Sequence, residues 1–201
     1  MALITCNERL REIIADHGPR GAAKIRDHLC EQGIEFLSRS PFLMLGTLGP
    51  YGLEMSQKGG EPGFVKAIDE RTLLVPECVG NNLALGLQNI LHDPRVALAF
   101  LRPATDEVLR VTGRADLLDD ADLCARLLTG DKPARLVIRI HVERAAFHCV
   151  RSARRARLWD PRSWDDPTRI SFGRIYADAL GQPEIEPDFD KLVSESDAKL
   201  Y

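Results

Sequence analysis

Six short apolar runs, separated by turn residues, occupy the chain between Phe42 and Cys149. They read FLMLGTLG, LEMSQK, TLLVP, RVALAFL, EVLRVTGRADLL and RLVIRIHVERAAFHC, and they are rich in valine, leucine and isoleucine. Runs of this kind are typical of β-strands. The spacing between them is too short for a full βαβ unit at each step, and short connections join antiparallel strands. The pattern therefore predicts an antiparallel barrel rather than a parallel, doubly wound sheet.

Helical patterns precede and interrupt the six runs. Thr5 and Glu8 have the spacing of a capping box ahead of a first amphipathic helix. A second helix is expected from Ile25 to the neighbourhood of Ser40, because Pro41 cannot continue the hydrogen-bond ladder. Further helices are predicted over residues 81–92, 120–130 and 172–180. The fold class is therefore mainly β with flanking helices (α+β).

The length and composition of the chain favour one domain. A chain of 201 residues with 44% hydrophobic residues can bury a sizeable core, and no repeat or low-complexity linker divides it. We expect a single domain over residues 1–201. Its helical N-terminal part covers residues 1–40, the barrel with inserted helices covers 41–150, and an arginine-rich segment, a helix and an acidic tail cover 151–201.

The net charge and the cysteines limit which partners and which cellular compartment are expected. A net charge of −3 gives no general attraction to nucleic acid or to anionic membranes, so neither is expected as a partner. The five cysteines are odd in number and never form a CxxC motif, and the histidines show no ligand spacing. This pattern predicts no disulfide framework and no metal site. Because the N-terminus becomes charged within eight residues, we expect no signal peptide and a cytoplasmic protein.

The stretch MSQKGGEPGFV, residues 55–65, allows two interpretations. Glycine and proline are common in surface hairpin loops, which is the simpler interpretation. Glycine also permits close ligand approach, and exposed N–H groups beside the cation Lys58 suit an anion such as phosphate. The stretch by itself leaves both interpretations open.

Several segments occur together in a characteristic order: SPFLMLGT, SQKGGEPGFV, TLLVPECVGNN, NILHDPRVALAFLRP, EVLRVTGRA and FHCVRSARRARLWDP. With this ordered series the sequence resembles the pyridoxamine 5′-phosphate oxidase-like flavoproteins with the FMN-binding split barrel, in particular the bacterial subgroup with two N-terminal helices. The resemblance covers nearly the whole chain. It implies a split barrel, a homodimer with FMN at the subunit interface, and oxidoreductase activity on a small molecule.

The resemblance also implies which residues bind the cofactor. The implied contacts are Ser56, Lys58, Gly59, Gly80, Asn81, Asn82 and Arg110. Arg151, which is the first of four arginines in the segment after FHC, could reach the phosphate held by a partner subunit, and Trp159 could stack on the flavin. The alternative for the arginine run is a solvated basic loop. No residue is predicted to act as a catalytic acid or base, because the flavin supplies the reactivity in such enzymes.

Two departures from the family pattern affect the cofactor. Val79 and Leu83 stand where the family typically carries arginines. Losing a guanidinium contact to phosphate costs roughly 1.5–3 kcal/mol, or about ten- to hundredfold in affinity. The alternative hypothesis is a divergent split-barrel protein that has lost FMN and binds another ligand in the dimer crevice. Cys78, in the same segment, is interpreted as a small apolar filler rather than a reactive thiol.

Overall fold

The computed structural model describes residues 3–80, 82–165 and 170–198. Within them, seven strands form one antiparallel sheet in the order β2-β1-β5-β6-β9-β4-β3, and β7 pairs with β8 in a small hairpin. The strands are β1 (Phe42–Gly49), β2 (Gly52–Gly59), β3 (Lys66–Ala67), β4 (Thr72–Glu77), β5 (Arg95–Leu101), β6 (Val108–Leu118), β7 (Leu128–Thr129), β8 (Lys132–Pro133) and β9 (Leu136–His148). The helices are α1 (Asn7–Ile13), α2 (Gly18–Ala22), α3 (Glu31–Leu37), α4 (Leu85–His92), α5 (Ala121–Arg126), α6 (Arg151–Ala156), α7 (Phe172–Leu180) and α8 (Glu186–Asp197).

Each of the six predicted runs forms a strand of the main sheet. The predicted antiparallel split barrel is therefore confirmed, with β2 at one edge of the sheet and the short β3 at the other. Side chains alternate across each strand, so one face of the sheet carries the core. The fully buried side chains on that face include Leu43, Leu45, Leu73, Phe100, Leu109, Val111, Ile138 and Ile140.

A bulge changes the register between the two longest strands, β6 and β9. Thr112 lies opposite Arg144, whereas the next residue, Gly113, lies opposite Val142. A Cβ atom on Gly113 would lie 1.9 Å from the carbonyl oxygen of His141. Only glycine permits this close approach of the two backbones, and the bulge sets which side chains meet on the outer face beyond it.

The N-terminal helices differ from the prediction. The first helix begins at Asn7, so its N-cap is Cys6 rather than Thr5, and no side chain caps it; the predicted capping box does not form. Only the second half of the predicted second helix forms, as α3, and an additional short helix, α2, lies before its expected start at Ile25. Between them, Arg26 forms a two-way backbone bridge with Ala145 of β9. This bridge satisfies the backbone groups of the segment by strand pairing rather than by helix formation.

The inserted helices are shorter than predicted. Helix α4 begins at Leu85 rather than residue 81, because Ala84 adopts a left-handed conformation with φ of 51°. Helix α5 is capped by Asp120, whose carboxylate accepts the Leu123 N–H. It ends at Arg126 because the chain then enters the β7–β8 hairpin, where Gly130 has φ of 65°.

The C-terminal helix α7 forms as predicted, but its apolar stripe is not buried in the barrel. Phe172, Ile175, Tyr176 and Leu180 are each about half exposed. The helix packs against α8, where the Tyr176 and Phe189 rings lie 4.8 Å apart between centroids. Of the helices in the described ranges, none has the length and apolar character needed to cross a membrane.

Candidate functional site

A crevice lies where the two edges of the open sheet approach each other. One wall is the edge strand β2, from Met55 to Gly59, and the other is the end of β4 with the following segment, from Pro76 to Gly80. Its volume is about 410 Å³. A cavity of this size matches the range found for small-molecule sites. The split of the barrel therefore forms the first candidate site.

Lys58 and Glu77 connect the two walls of this crevice. The Lys58 Nζ donates to Glu77 Oε1 at 2.8 Å and lies 2.7 Å from Oε2. Both side chains are buried, with exposed fractions of 8% and 6%. A buried ion pair holds when each charge compensates the other. The charge of Lys58 is thus already balanced within the chain.

The sequence stretch around Lys58 is a strand rather than a loop. Residues up to Gly59 belong to β2 and pair with β1 in regular register. Ser56 and Lys58 point to the inner side of β2, whereas Met55 and Gln57 alternate to the other side. The glycine-rich turn follows, and there Gly63 has φ of 80°. Both interpretations from the sequence treated residues 55–65 as one loop, whereas residues 55–59 belong to strand β2.

The segment after β4 forms the rim of the crevice. Val79 and Gly80 line it, and Leu83 is 75% exposed. The Asn82 N–H donates to the carbonyl of Gly80 at 3.1 Å. Asn81 lies outside the described residues. Because α4 begins only at Leu85, the expected helix N-terminus near residue 81 is not formed there.

Cys78 lies in the crevice wall beside Glu77. Burial is the main cause that raises the pKa of its thiol above the ordinary value, and the neighbouring Glu77 carboxylate acts in the same direction. A hydrogen bond with Thr129 and the charge of Lys58 oppose the increase in this pKa. A raised pKa leaves the group as a thiol at neutral pH. The arrangement favours the interpretation of Cys78 as a packing residue.

Arg110 lines a second cavity, on the outer face of β6 and β9 beside the N-terminal segment. We call it the basic pocket; its volume is about 430 Å³. It is lined by His17, Gly21, Lys24, Ile25, Arg110, Thr112, Arg144, Ala145, Ala146 and His148. The pKa of His148 is lowered by burial and by the nearby charges of Arg110 and Lys24. Arg110 and Lys24 therefore both lie close enough to His148 to disfavour its protonated form.

Arg151 and Trp159 lie in a third region, after the end of β9. Arg151 begins α6, and the Trp159 Nε1 donates to the carbonyl of Thr105 at 2.9 Å. Arg154 of the same run pairs with Asp106 at 2.8 Å. The indole and one guanidinium thus attach this segment to the connection between β5 and β6.

Within the single chain, the predicted cofactor residues are distributed over three places. Ser56, Lys58 and Gly59 meet in the crevice, Arg110 lies in the basic pocket, and Arg151 with Trp159 lie near α6. Sequence reasoning missed Glu77 and Arg144. Glu77 is the last residue of an apolar strand, and no motif around it indicates an ion pair. The position of Arg144 opposite Thr112 follows from a bulge that the sequence does not reveal.

These features define an antiparallel split-barrel protein with a crevice at the open edge of its sheet. A profile of the family described as Pyridoxamine 5′-phosphate oxidase matches residues 31–149, which is more than half of the chain. The chain belongs to this family, as its sequence resemblance indicated. No curated protein matches it.

Solved structures with similar folds include three from bacteria. HupZ of Group A Streptococcus, in an alanine-substituted variant, is 16% identical over 60% of this chain and 99% of its own, with a TM-score of 0.49. A putative pyridoxamine 5′-phosphate oxidase from Lactobacillus delbrueckii is 20% identical over 60% and 94%, with a TM-score of 0.46. Another from Listeria innocua is 16% identical over 58% and 95%, with a TM-score of 0.44.

The described residues gather no group of three or more histidine, cysteine, aspartate or glutamate side chains that could hold a metal ion. The cysteines within them are all free thiols, and Cys6 and Cys149 are exposed. The polar side chains that line the crevice are the Lys58–Glu77 ion pair, the Ser56 hydroxyl, the Gln57 amide and the Cys78 thiol.

Proposed function

We propose that the protein is a cytoplasmic, homodimeric, FMN-dependent oxidoreductase that acts on a small molecule. The observation that carries this proposal is the crevice, which gathers Ser56, Lys58, Gly59 and Gly80 at the split of the barrel. Membership of the pyridoxamine 5′-phosphate oxidase family supports it. When bound, FMN supplies hydride transfer, and the chain supplies binding, orientation and exclusion of water.

The crevice fits a flavin in its hydrogen-bonding groups. The Ser56 hydroxyl and the Gln57 amide both donate and accept hydrogen bonds, and Gly59 and Gly80 allow close approach of a ligand to the backbone. The exposed apolar side chains of Met55 and Val79 border the same space. A planar ring with polar edges and apolar faces suits this combination.

The phosphate is the part of FMN that needs cationic partners most. Lys58 is the only cation among the described residues of the crevice wall, and Glu77 already balances it. A phosphate dianion beside Glu77 meets a carboxylate as well as an ammonium group. We therefore propose that Arg151 and Trp159 contribute from a second copy of the chain, so that the complete site belongs to the dimer.

A second candidate function is favoured by the same ion pair. If Lys58 serves to join β2 to β4, and Val79 and Leu83 replace arginines, then the crevice holds a ligand without a phosphate. The protein is then a divergent binding protein or a repurposed enzyme on the split-barrel fold. A shared fold is compatible with either function.

The visible absorption spectrum of the purified protein tests the first proposal. We expect flavin bands that remain after FMN is added and the excess is removed by gel filtration. A protein that stays colourless under these conditions contradicts FMN binding and favours the second candidate.

Two variants then separate the roles of the crevice residues. Glu77→Gln removes the competing carboxylate, so FMN affinity rises about tenfold if Lys58 contacts the phosphate. Leu83→Arg restores a missing cation and also strengthens FMN if the family geometry is kept. Arg139→Gln, on the exposed outer side of β9, is the control and leaves FMN affinity unchanged. No gain in either crevice variant contradicts a phosphate subsite at Lys58.

The homodimer has support from the edge strand. Leu53 and Met55 of β2 are 84% and 62% exposed, and Leu48 beside them on β1 is also exposed. Apolar side chains clustered on a strand surface mark a protein interface. We expect a dimer in sedimentation equilibrium and a monomer for Leu53→Glu. A wild-type monomer at micromolar concentration contradicts this part of the proposal.

A further inference from the structure

The basic pocket differs from the rest of this acidic protein in its charge. The chain carries a net charge of −3, yet the pocket wall holds Lys24, Arg110 and Arg144 together with His17 and His148. No aspartate or glutamate of the described residues lines it. A cavity lined by charges of one sign concentrates counter-ions of the other sign.

The three permanent cations of the pocket have no acidic partner within the described ranges. Other arginines of the chain pair closely, such as Arg139 with Asp116 at 2.9 Å and Arg95 with the Asp93 carboxylate. Neither Lys24, Arg110 nor Arg144 forms such an ion pair among the residues that the structure describes. Their hydrogen-bond donors therefore remain available to a ligand.

The fold holds these cations in place from two sides. Arg110 and Arg144 lie on the outer face of adjacent strands, and the bulge at Gly113 fixes Arg144 opposite Thr112. Lys24 lies two residues before Arg26, which is bound to Ala145 by backbone hydrogen bonds at 3.0 and 2.8 Å. A strand-like bridge thus attaches the covering segment directly beside the two arginines.

The remaining wall of the pocket is apolar. Ile25 and Ala146 supply aliphatic surface, and the Thr112 hydroxyl adds one group that can donate or accept a hydrogen bond. A few polar groups placed on an apolar wall are typical of sites for small organic ligands. Three cations favour a doubly charged group over a single carboxylate.

From this arrangement we propose that the basic pocket is a binding site for a phosphate monoester with a small apolar group, separate from the crevice. The phosphate contacts Lys24, Arg110 and Arg144, and the apolar group lies against Ile25 and Ala146. This proposal does not depend on FMN binding in the crevice.

Isothermal titration with phenyl phosphate tests the proposal on the full-length protein. We expect binding that weakens about tenfold in Lys24→Gln and in Arg144→Gln, since each loses one charge-assisted contact. Arg114→Gln removes the same charge from the outer face of β6 outside the pocket and leaves the affinity unchanged. Thermal unfolding of each variant verifies that the fold is kept.

Three further probes define the ligand class. Benzyl alcohol lacks the charge and should not bind, while inorganic phosphate and benzoate should each bind more weakly than phenyl phosphate. Tighter binding of benzoate overturns the choice of a phosphate monoester. Equal affinity of all variants, or no binding of phenyl phosphate to the wild type, overturns the site itself.

Competition with FMN separates this proposal from the proposed function. We expect phenyl phosphate to bind equally well with and without a saturating concentration of FMN. If FMN displaces it, and if Lys24→Gln also weakens FMN, then the pocket holds the flavin phosphate and the proposal of a separate site is wrong. A colourless protein that still binds phenyl phosphate contradicts only the flavoenzyme.

Discussion

The crevice and the basic pocket have similar volumes but differ in whether their positive charges have acidic partners. In the crevice, Lys58 is buried and paired with Glu77 across the split of the barrel. In the basic pocket, three cations converge without an acidic residue in the described wall. A lysine in a motif that suggests anion binding can therefore have its charge compensated inside the fold, whereas less conspicuous cations can stay without an acidic partner.

The largest expected effect comes from breaking the ion pair. Lys58→Met leaves the Glu77 carboxylate buried, and Glu77→Leu leaves the Lys58 ammonium buried. Each single change should lower the free energy of unfolding by about 3–5 kcal/mol, as measured by urea denaturation. The double variant should recover most of this loss, because it buries no uncompensated charge.

A surface pair provides the control for this experiment. Arg139→Met removes one partner of the exposed pair with Asp116 and should cost at most about 1 kcal/mol. If Lys58→Met costs no more than Arg139→Met, then Lys58 is not a structural residue, and its assignment to phosphate binding gains support.

The next effect concerns the bulge that arranges the basic pocket. Gly113→Ala places a Cβ against the His141 carbonyl, so one strand must shift. We expect a loss of about 1–3 kcal/mol in thermal or urea unfolding, together with weaker phenyl phosphate binding. Gly46→Ala on β1 is the matched control, since its Cβ would meet Ala97 at an ordinary 3.5 Å. Similar losses for both variants contradict a special role of the bulge.

A smaller effect should appear in thiol reactivity. Because burial raises the pKa of Cys78, its thiolate fraction stays low at neutral pH. Alkylation by iodoacetamide, followed by mass spectrometry at pH 7, should modify the exposed Cys149 several-fold faster. The rate at Cys78 should increase only at a pH above the ordinary range for cysteine. Equal rates at both residues show that the crevice wall opens readily.

The smallest predicted effect is a pH dependence of stability at His148. Its pKa in the folded protein lies below the ordinary value of 6.5, so folding disfavours the protonated ring. Stability should therefore be complete above pH 6.5 and should fall as the pH drops below it, because the unfolded chain takes up the proton more readily. His148→Gln should reduce this decrease, as seen in thermal melting between pH 5 and 8. Parallel curves for the two proteins contradict it.

The strands could be predicted from the sequence for a clear physical reason. Alternating apolar residues must face a core, and turn residues between short runs leave few ways to connect strands. All six runs accordingly form strands. The helices were predicted less well, since the Arg26 bridge to Ala145 competes with helix formation over residues 25–30. Long-range pairing of this kind leaves no local pattern.

The amino-acid sequence was sufficient to predict an antiparallel barrel, because the short apolar runs must face a core, and its ordered segments were sufficient to indicate the pyridoxamine 5′-phosphate oxidase family and its split barrel. Which charges are compensated depends instead on the three-dimensional fold. Lys58 and Glu77 are nineteen residues apart along the chain, and Lys24, Arg110 and Arg144 come from three separate segments. The curvature of the sheet, the bulge at Gly113 and the Arg26 bridge bring them together, and electrostatic interactions depend on distance in space rather than on position in the chain.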